Sequence, residues 1–222
     1  MSHPALRIGL IDYGMGNLHS VRRSLERLGC DVLDVRSEAD LASPNALILP
    51  GVGAFDPAME NLESTGLIPH LKSWALDRRP LLGICLGLQL LFESSEEGSR
   101  QGLALLPGRV ERLPDDPRER IPHMGWAPLN PVMDCPLLRQ GDPTAWVYFV
   151  HSYAAVPSSN ENVLAATAPF ADSPVTAMVW RDRVGACQFH PEKSADCGSL
   201  MLKRWLNWLE SIQSVGNTQE QG

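Results

Sequence analysis

Two short segments hold the residue types that acyl transfer needs. In Gly83-Ile84-Cys85-Leu86-Gly87 a cysteine stands between two glycines. It closes the apolar run Pro80 to Cys85, which is too short for a helix and reads as a buried strand. A helical pattern from Leu86 to Phe92 follows. A nucleophile on a sharp strand-to-helix turn leaves little room two positions to either side, and glycine at both relieves the crowding. Such a turn sets Cys85 at the positive end of the helix, which favours thiolate over thiol. It also aims the Leu86 N–H at a developing oxyanion. The second segment, His190-Pro191-Glu192, follows the apolar run Val184 to Phe189. Residues two apart on an extended segment point to one side, so Glu192 can orient His190 while His190 accepts a thiol proton. Pro191 cannot donate to a sheet ladder and ends the strand where the pair is needed. Each segment alone also fits a plain role, a cysteine packed by glycines or a solvated strand end. Together they make Cys85, His190 and Glu192 the candidate catalytic residues.

The elements that must position these residues are legible in outline. Leu6 to Ile11 is a β-branched-rich run ended by the breaker Asp12 to Asn17, and Asp31 to Val35 and Ala46 to Leu49 are two further short strands, the second closed by Pro50-Gly51. Between the first two, Leu18, Val21, Leu25 and Leu28 recur at helical spacing, with Asn17 as N-cap and Gly29 as stop. Continuous apolar strands alternating with amphipathic helices predict an α/β fold, a mostly parallel central sheet with helices on both faces. The second half offers Pro107 to Leu113, Ala145 to Val150, Val163 to Ala168, Thr176 to Arg181 and Val184 to Phe189, which predict an antiparallel section attached to that sheet. The proline-rich stretch 114–144 reads as a long excursion of loops. A final helix carries Leu202, Trp205, Leu206, Leu209 and Ile212 on one face. With no internal repeat or linker, residues 1–222 read as one domain, with a core of about 5–213 and a polar tail of about 215–222.

Composition narrows the function. A length of 222 residues at 44% hydrophobic suffices for one sizeable core. Nineteen Lys plus Arg against 26 Asp plus Glu give a net charge of -7, which argues against nucleic acid or an anionic membrane as the main ligand. No apolar run approaches the ~20 residues that span a bilayer. The first residues lack an apolar signal core, and five scattered cysteines read as thiols rather than a disulfide framework. A cytoplasmic protein is expected.

With these motifs in place, the sequence resembles the class I glutamine amidotransferases, whose triad is Cys, His and Glu. The likeness rests on Gly83-Ile84-Cys85-Leu86-Gly87-Leu88-Gln89-Leu90-Leu91 and Gln188-Phe189-His190-Pro191-Glu192. Other segments are similar to one branch, the glutaminase subunits of imidazole glycerol phosphate synthase. These include Asp12-Tyr13-Gly14-Met15-Gly16-Asn17, Pro50-Gly51-Val52-Gly53-Ala54-Phe55 and the stretch Phe92 to Gly98. The most branch-specific are Pro122-His123-Met124-Gly125-Trp126 and Tyr148-Phe149-Val150-His151-Ser152-Tyr153, with the extension Lys193-Ser194. The resemblance implies a flavodoxin-like amidotransferase fold and hydrolysis of L-glutamine to glutamate and ammonia through a thioester on Cys85. It implies delivery of the ammonia to a separate cyclase, a (β/α)8 barrel, in a heterodimer serving histidine biosynthesis. It further implies an oxyanion hole from the backbone of Leu86, Val52 and Gly53, and a glutamine pocket from Gly51, Gln89, Glu97, Ser152 and Tyr153. Asn17, Trp126, Tyr148 and Lys193 match interface positions. No cofactor and no metal are expected. If the Val52 peptide must turn over to complete the hole, the isolated chain should hydrolyse glutamine slowly and speed up with its partner.

The sequence departs from the branch at Ala154-Ala155, Ala127 and Ala104, which puts details of the pocket rim and partner contact in question. Gly14-Met15-Gly16 with Asp34 mimics a dinucleotide fingerprint but lacks its third glycine. Cys187, His190 and Cys197 lack paired-ligand spacing for zinc. Two alternatives stay open on the sequence: the glutaminase subunit of another synthase, such as anthranilate synthase, and a non-catalytic module that kept the fold.

Overall fold

The computed structural model describes residues 5–219, with side chains described as far as 214. Its centre is an eight-stranded sheet. The parallel part comprises β1 (Arg7–Ile11), β2 (Asp31–Val35), β3 (Ala46–Gly51), β4 (Leu81–Cys85) and β13 (Val184–Cys187), in the order β2-β1-β3-β4-β13. The antiparallel part continues from β13 through β12 (Ser173–Arg181), β11 (Leu164–Phe170) and the short β8 (Asn130–Pro131). The expected mostly parallel sheet with an antiparallel section is therefore present.

Alternation along the strands decides which helices they meet. Ile8, Leu10, Ile48, Leu82 and Ile84 face one side with Val21 and Leu25 of α1 (Leu18–Arg27) and Met201, Trp205 and Leu209 of α5 (Ala195–Gln219). Ile11, Leu47, Leu49, Leu81 and Ala186 face the other side, against α2 (Phe55–Ser64), α3 (Ile68–Leu76) and α4 (Leu86–Leu90). Asn17 caps α1 by accepting from the Ser20 N–H at 3.3 Å, a contact worth about 1 kcal/mol. α2 and α3 are not among the sequence expectations. The expected polar tail begins as a continuation of α5, whose backbone is helical to Gln219, and its last residues, 220–222, lie outside the described residues.

Two expected strands leave the main sheet. β6 (Gly108–Arg112) pairs with β10 (Tyr153–Pro157) and with β5 (Ser94–Ser95) in a small three-stranded sheet. β9 (Trp146–His151) pairs with β7 (His123–Pro128) in a two-stranded ribbon, so the 114–144 excursion is not all loop. The reason is visible in β9, where Val147, Phe149 and His151 are buried while Trp146, Tyr148 and Val150 are not. A strand with one wet face suits a ribbon, not the middle of a sheet covered on both sides. Among the described residues no helix is long and apolar enough to cross a membrane.

Candidate active site

Cys85 is the last residue of β4, and α4 begins at the next residue. Its backbone lies at φ 56°, ψ −113°, a strained conformation for a residue with a side chain, of the kind that structures tolerate where the surroundings over-determine it. The flanking glycines show what does so. A Cβ on Gly83 would sit 2.9 Å from the Gly87 carbonyl oxygen and 3.0 Å from the Ala186 Cβ. A Cβ on Gly87 would collide with the carbonyl of Leu49 on the neighbouring strand. β3 and β4 run parallel in a register that sets Gly51 beside Cys85, so Val52 and Gly53 follow directly above the sulfur's strand. The Tyr13 hydroxyl pins that end of β3 by donating to the Pro50 carbonyl at 2.8 Å.

His190 and Glu192 come from the chain after β13, the strand next to β4. The imidazole Nδ1 lies 2.8 Å from Glu192 Oε1, with both side chains almost completely buried. Burial opposes a positive imidazole, but the Cys85 sulfur and the Glu192 carboxylate outweigh it and raise His190 to about 9. The carboxylate thus fixes Nδ1 as the donor and leaves Nε2 for the thiol. Nε2 itself is buried and meets no acceptor at hydrogen-bond geometry. The Cys85 sulfur is nonetheless near enough to act on the charge of the ring, and catalytic hydrogen bonds are often loose before substrate binds.

Cys85 and His190 open onto one cavity of about 320 Å³, lined also by Val52, Gly53, Leu86, Gln89, Glu97, Ser152 and Tyr153. Gly51 does not line it; it is buried beneath, where a Cβ would lie 2.6 Å from the Tyr13 hydroxyl. Gln89 donates from Nε2 to the Tyr153 carbonyl at 2.9 Å and to Gln188 Oε1 at 3.1 Å. Its donors are thus used by the protein, and its oxygen remains an acceptor. Gln188, fully buried, makes a long 3.9 Å contact from Nε2 to the Cys85 sulfur. One Glu97 oxygen accepts from the Phe55 N–H at the start of α2 at 2.8 Å. In return Asp56 of α2 accepts from the Ser99 and Arg100 N–H groups. This exchange of carboxylates clamps the 96–100 loop to the helix and leaves a second Glu97 oxygen to meet a cation.

A pair of histidines backs the cavity wall. His151 Nδ1 lies 2.9 Å from the Tyr153 carbonyl, and His151 Nε2 lies 3.3 Å from His123 Nδ1. A carbonyl only accepts, so His151 donates from Nδ1, and its Nε2 accepts a hydrogen bond from the His123 Nδ1–H. Burial lowers both histidines, His151 to about 4, and keeps them neutral.

The four expected interface residues do not line the cavity. Trp126 is 50% exposed and packs edge-on against Tyr148 with ring centroids 6.1 Å apart. Met124 and Trp146 are exposed on the same face of the ribbon. Lys193 is exposed on the turn after His190, and that turn packs against α1, whose cap is Asn17.

Sequence reasoning did not assign roles to Gln188, His151, His123, Tyr13 or Ser194. Gln188 adjoins the His-Pro-Glu motif, but its partner Gln89 lies 99 residues away, so only the paired strands reveal the contact. Among the described residues no cluster of His, Cys, Asp or Glu could hold a metal ion, so Cys187, His190 and Cys197 do not form one.

Residues 9–206 match the model of the family described as glutamine amidotransferase class-I. The chain is 67% identical over 204 residues to the imidazole glycerol phosphate synthase subunit HisH of Synechococcus sp. (strain CC9902), covering 92% of this chain and 95% of the relative. It is 66% identical over 205 residues to the imidazole glycerol phosphate synthase subunit HisH 2 of Prochlorococcus marinus (strain MIT 9313), with coverage of 92% and 96%. Its fold is similar to the crystal structure of a glutamine amidotransferase from Thermotoga maritima. That match has a TM-score of 0.60 at 17% identity and covers 97% of this chain and 86% of the other.

Proposed function

Because the chain belongs to the class I glutamine amidotransferases, we propose that it is the glutaminase subunit of an imidazole glycerol phosphate synthase, acting in the cytoplasm in histidine biosynthesis. The observation that carries this reading is the buried His190–Glu192 pair at 2.8 Å beside a cavity that His190 and Cys85 line together.

Glutamine enters with its amino-acid end among Gln89, Glu97, Ser152 and Tyr153, and Gly51 acts from beneath by holding the end of β3 against Cys85. Its ammonium meets the free Glu97 oxygen and the Gln89 carbonyl, and its carboxamide reaches Cys85. His190 takes the Cys85 thiol proton, the sulfur attacks the carboxamide carbon, and the negative charge passes to oxygen. That oxygen is held by the N–H of Leu86, in the first helical turn where no intrahelical acceptor exists, and by Val52 or Gly53. Protonated His190 gives its Nε2 proton to the departing nitrogen, ammonia leaves, and a thioester remains. Neutral His190 then takes a proton from water, whose oxygen attacks the thioester. Glutamate departs and the thiolate returns, so glutamine and water become glutamate and ammonia. Glu192 stabilises the imidazolium and holds its tautomer throughout. The partner is a cyclase subunit with a (β/α)8 barrel, seated on the Trp126–Tyr148 face with Asn17 and Lys193 at its rim. Aromatic anchors half-exposed on one face suit such a contact.

The test is ammonia release from glutamine by this chain with and without a cyclase subunit, followed by mass mapping after a glutamine-like electrophile. The expected result is label on Cys85 alone among the five cysteines, and a Cys85→Ala chain without activity. Absence of ammonia release in the complex, or label on another cysteine, would overturn the reading.

A further inference from the structure

Beside His190 a backbone pair is completed by a side chain. The His190 N–H donates to the Tyr148 carbonyl at 3.0 Å. In a regular antiparallel pair of this kind the two residues exchange a second bond, from one N–H to the other carbonyl. Here the Ser194 hydroxyl is inserted into that second bond. It accepts from the Tyr148 N–H at 3.0 Å and donates to the His190 carbonyl at 2.6 Å. The directions are forced, because an amide N–H only donates and a carbonyl only accepts. Ser194 is fully buried and ends the single 3-10 turn Pro191–Lys193 that folds Glu192 back beneath the imidazole. The start of α5 closes on it from behind: the Gly198 N–H donates to the Ser194 carbonyl at 3.0 Å, and a Cβ on Gly198 would collide with the Pro191 carbonyl.

We infer that Ser194 is a positioning residue for glutamine hydrolysis, its hydroxyl completing the His190–Tyr148 pair and so setting where the imidazole stands over Cys85; this rests on the glutaminase reading above. Three observations converge on it. The ring's Nε2 is buried with no hydrogen-bond partner, so the stand of the His190 backbone decides whether that nitrogen meets the Cys85 sulfur. The extra length of the hydroxyl link is what allows the chain to leave the line of β13 and turn at Pro191. Tyr148, whose main chain holds His190, turns its side chain outward against Trp126, so the base hangs from the strand that presents the aromatic face. Without the hydroxyl, the Tyr148 N–H would lose its partner in a part-buried position, and the chain would shift to satisfy it.

The test uses Ser194→Ala and the equal-volume pair Ser194→Thr and Ser194→Val, each assembled with a cyclase partner in the presence of imidazole glycerol phosphate. A misplaced base predicts kcat for glutamine falling ~10- to 100-fold in the Ala and Val chains, with KM changed less than about twofold. Ser194→Thr should recover most of that loss. The pH profile of Cys85 alkylation by iodoacetamide, measured on the chain alone, should shift in Ala and Val and not in Thr. A serine that served only stability would lower the melting temperature and leave that profile in place. The inference is overturned by a Ser194→Ala chain with unchanged kcat and profile, by one that no longer melts cooperatively, or by a Thr chain no better than Val. A wild-type complex that releases no ammonia would defeat the glutaminase reading instead, before any variant is compared.

Discussion

The two halves of the candidate catalytic pair are held by different means. Cys85 is set by the backbone: parallel strands, a positive φ and two glycines packed against main-chain and Cβ atoms. His190 is set by side chains, with Glu192 under its ring and Ser194 behind its main chain. Backbone packing tolerates no added atom, whereas side-chain bonds can be deleted one by one with the fold kept. The nucleophile end should therefore fail as folding, and the base end as catalysis.

The largest expected effect is at Gly87. Gly87→Ala forces a Cβ into the Leu49 carbonyl, and urea unfolding should show a loss of about 3 kcal/mol or more, or no folded protein. Gly83→Ala should be milder, about 1–3 kcal/mol by the same measurement. A Gly87→Ala chain as stable as wild type would remove the contrast at its root. Next, Glu192→Gln should leave the melt cooperative and lower kcat by ~100-fold to 10,000-fold with KM little changed, because the carboxylate that fixes the histidine tautomer is gone. Activity within tenfold of wild type would show that Glu192 is a structural partner only. Glu97→Gln tests the pocket wall: losing a charged hydrogen bond of ~1.5–3 kcal/mol should raise KM by roughly 10- to 100-fold while kcat holds. Trp126→Ala should weaken binding of the cyclase subunit by ~2 kcal/mol or more in a titration while leaving Cys85 labelling in the free chain unchanged.

The smallest effect is in pH. His190 is raised from the ordinary 6.5 to about 9, so its interactions stabilise the fold fully below about 6.5 and lose that contribution as pH rises through about 9. The melting-temperature gap between wild type and His190→Asn should accordingly shrink over that window. Glutamine turnover should fall over the same upper limb as the imidazolium disappears. A gap that widens with pH would mean the histidine sits neutral.

The same contrast explains what could be read from the chain. The nucleophile end was legible because backbone crowding leaves glycine as its trace, and β1, β3 and β4 because buried parallel strands are continuous apolar runs. His190 and Glu192 were legible from their spacing. Ser194 was not, since its partner Tyr148 lies 46 residues away and a serine after a turn looks like any other. Nor did β7 announce itself. Gly125, Pro128 and the polar His123 break the usual strand pattern, and the segment is extended only because β9 pairs with it. His123 and His151, each alone in sequence, meet for that reason. Glu97 entered only through the resemblance, because α2, itself unread, supplies the N–H that anchors it.

The ribbon of β7 and β9 is a partition one residue thick, with Met124, Trp126 and Trp146 outside and His123, Phe149 and His151 inside. Such a partition has no interior in which to absorb a change. A larger ring on one side is a dent on the other, so a lineage that acquired a new companion protein would have to retune the packing beneath the ribbon, where His151 reaches the cavity, in the same steps.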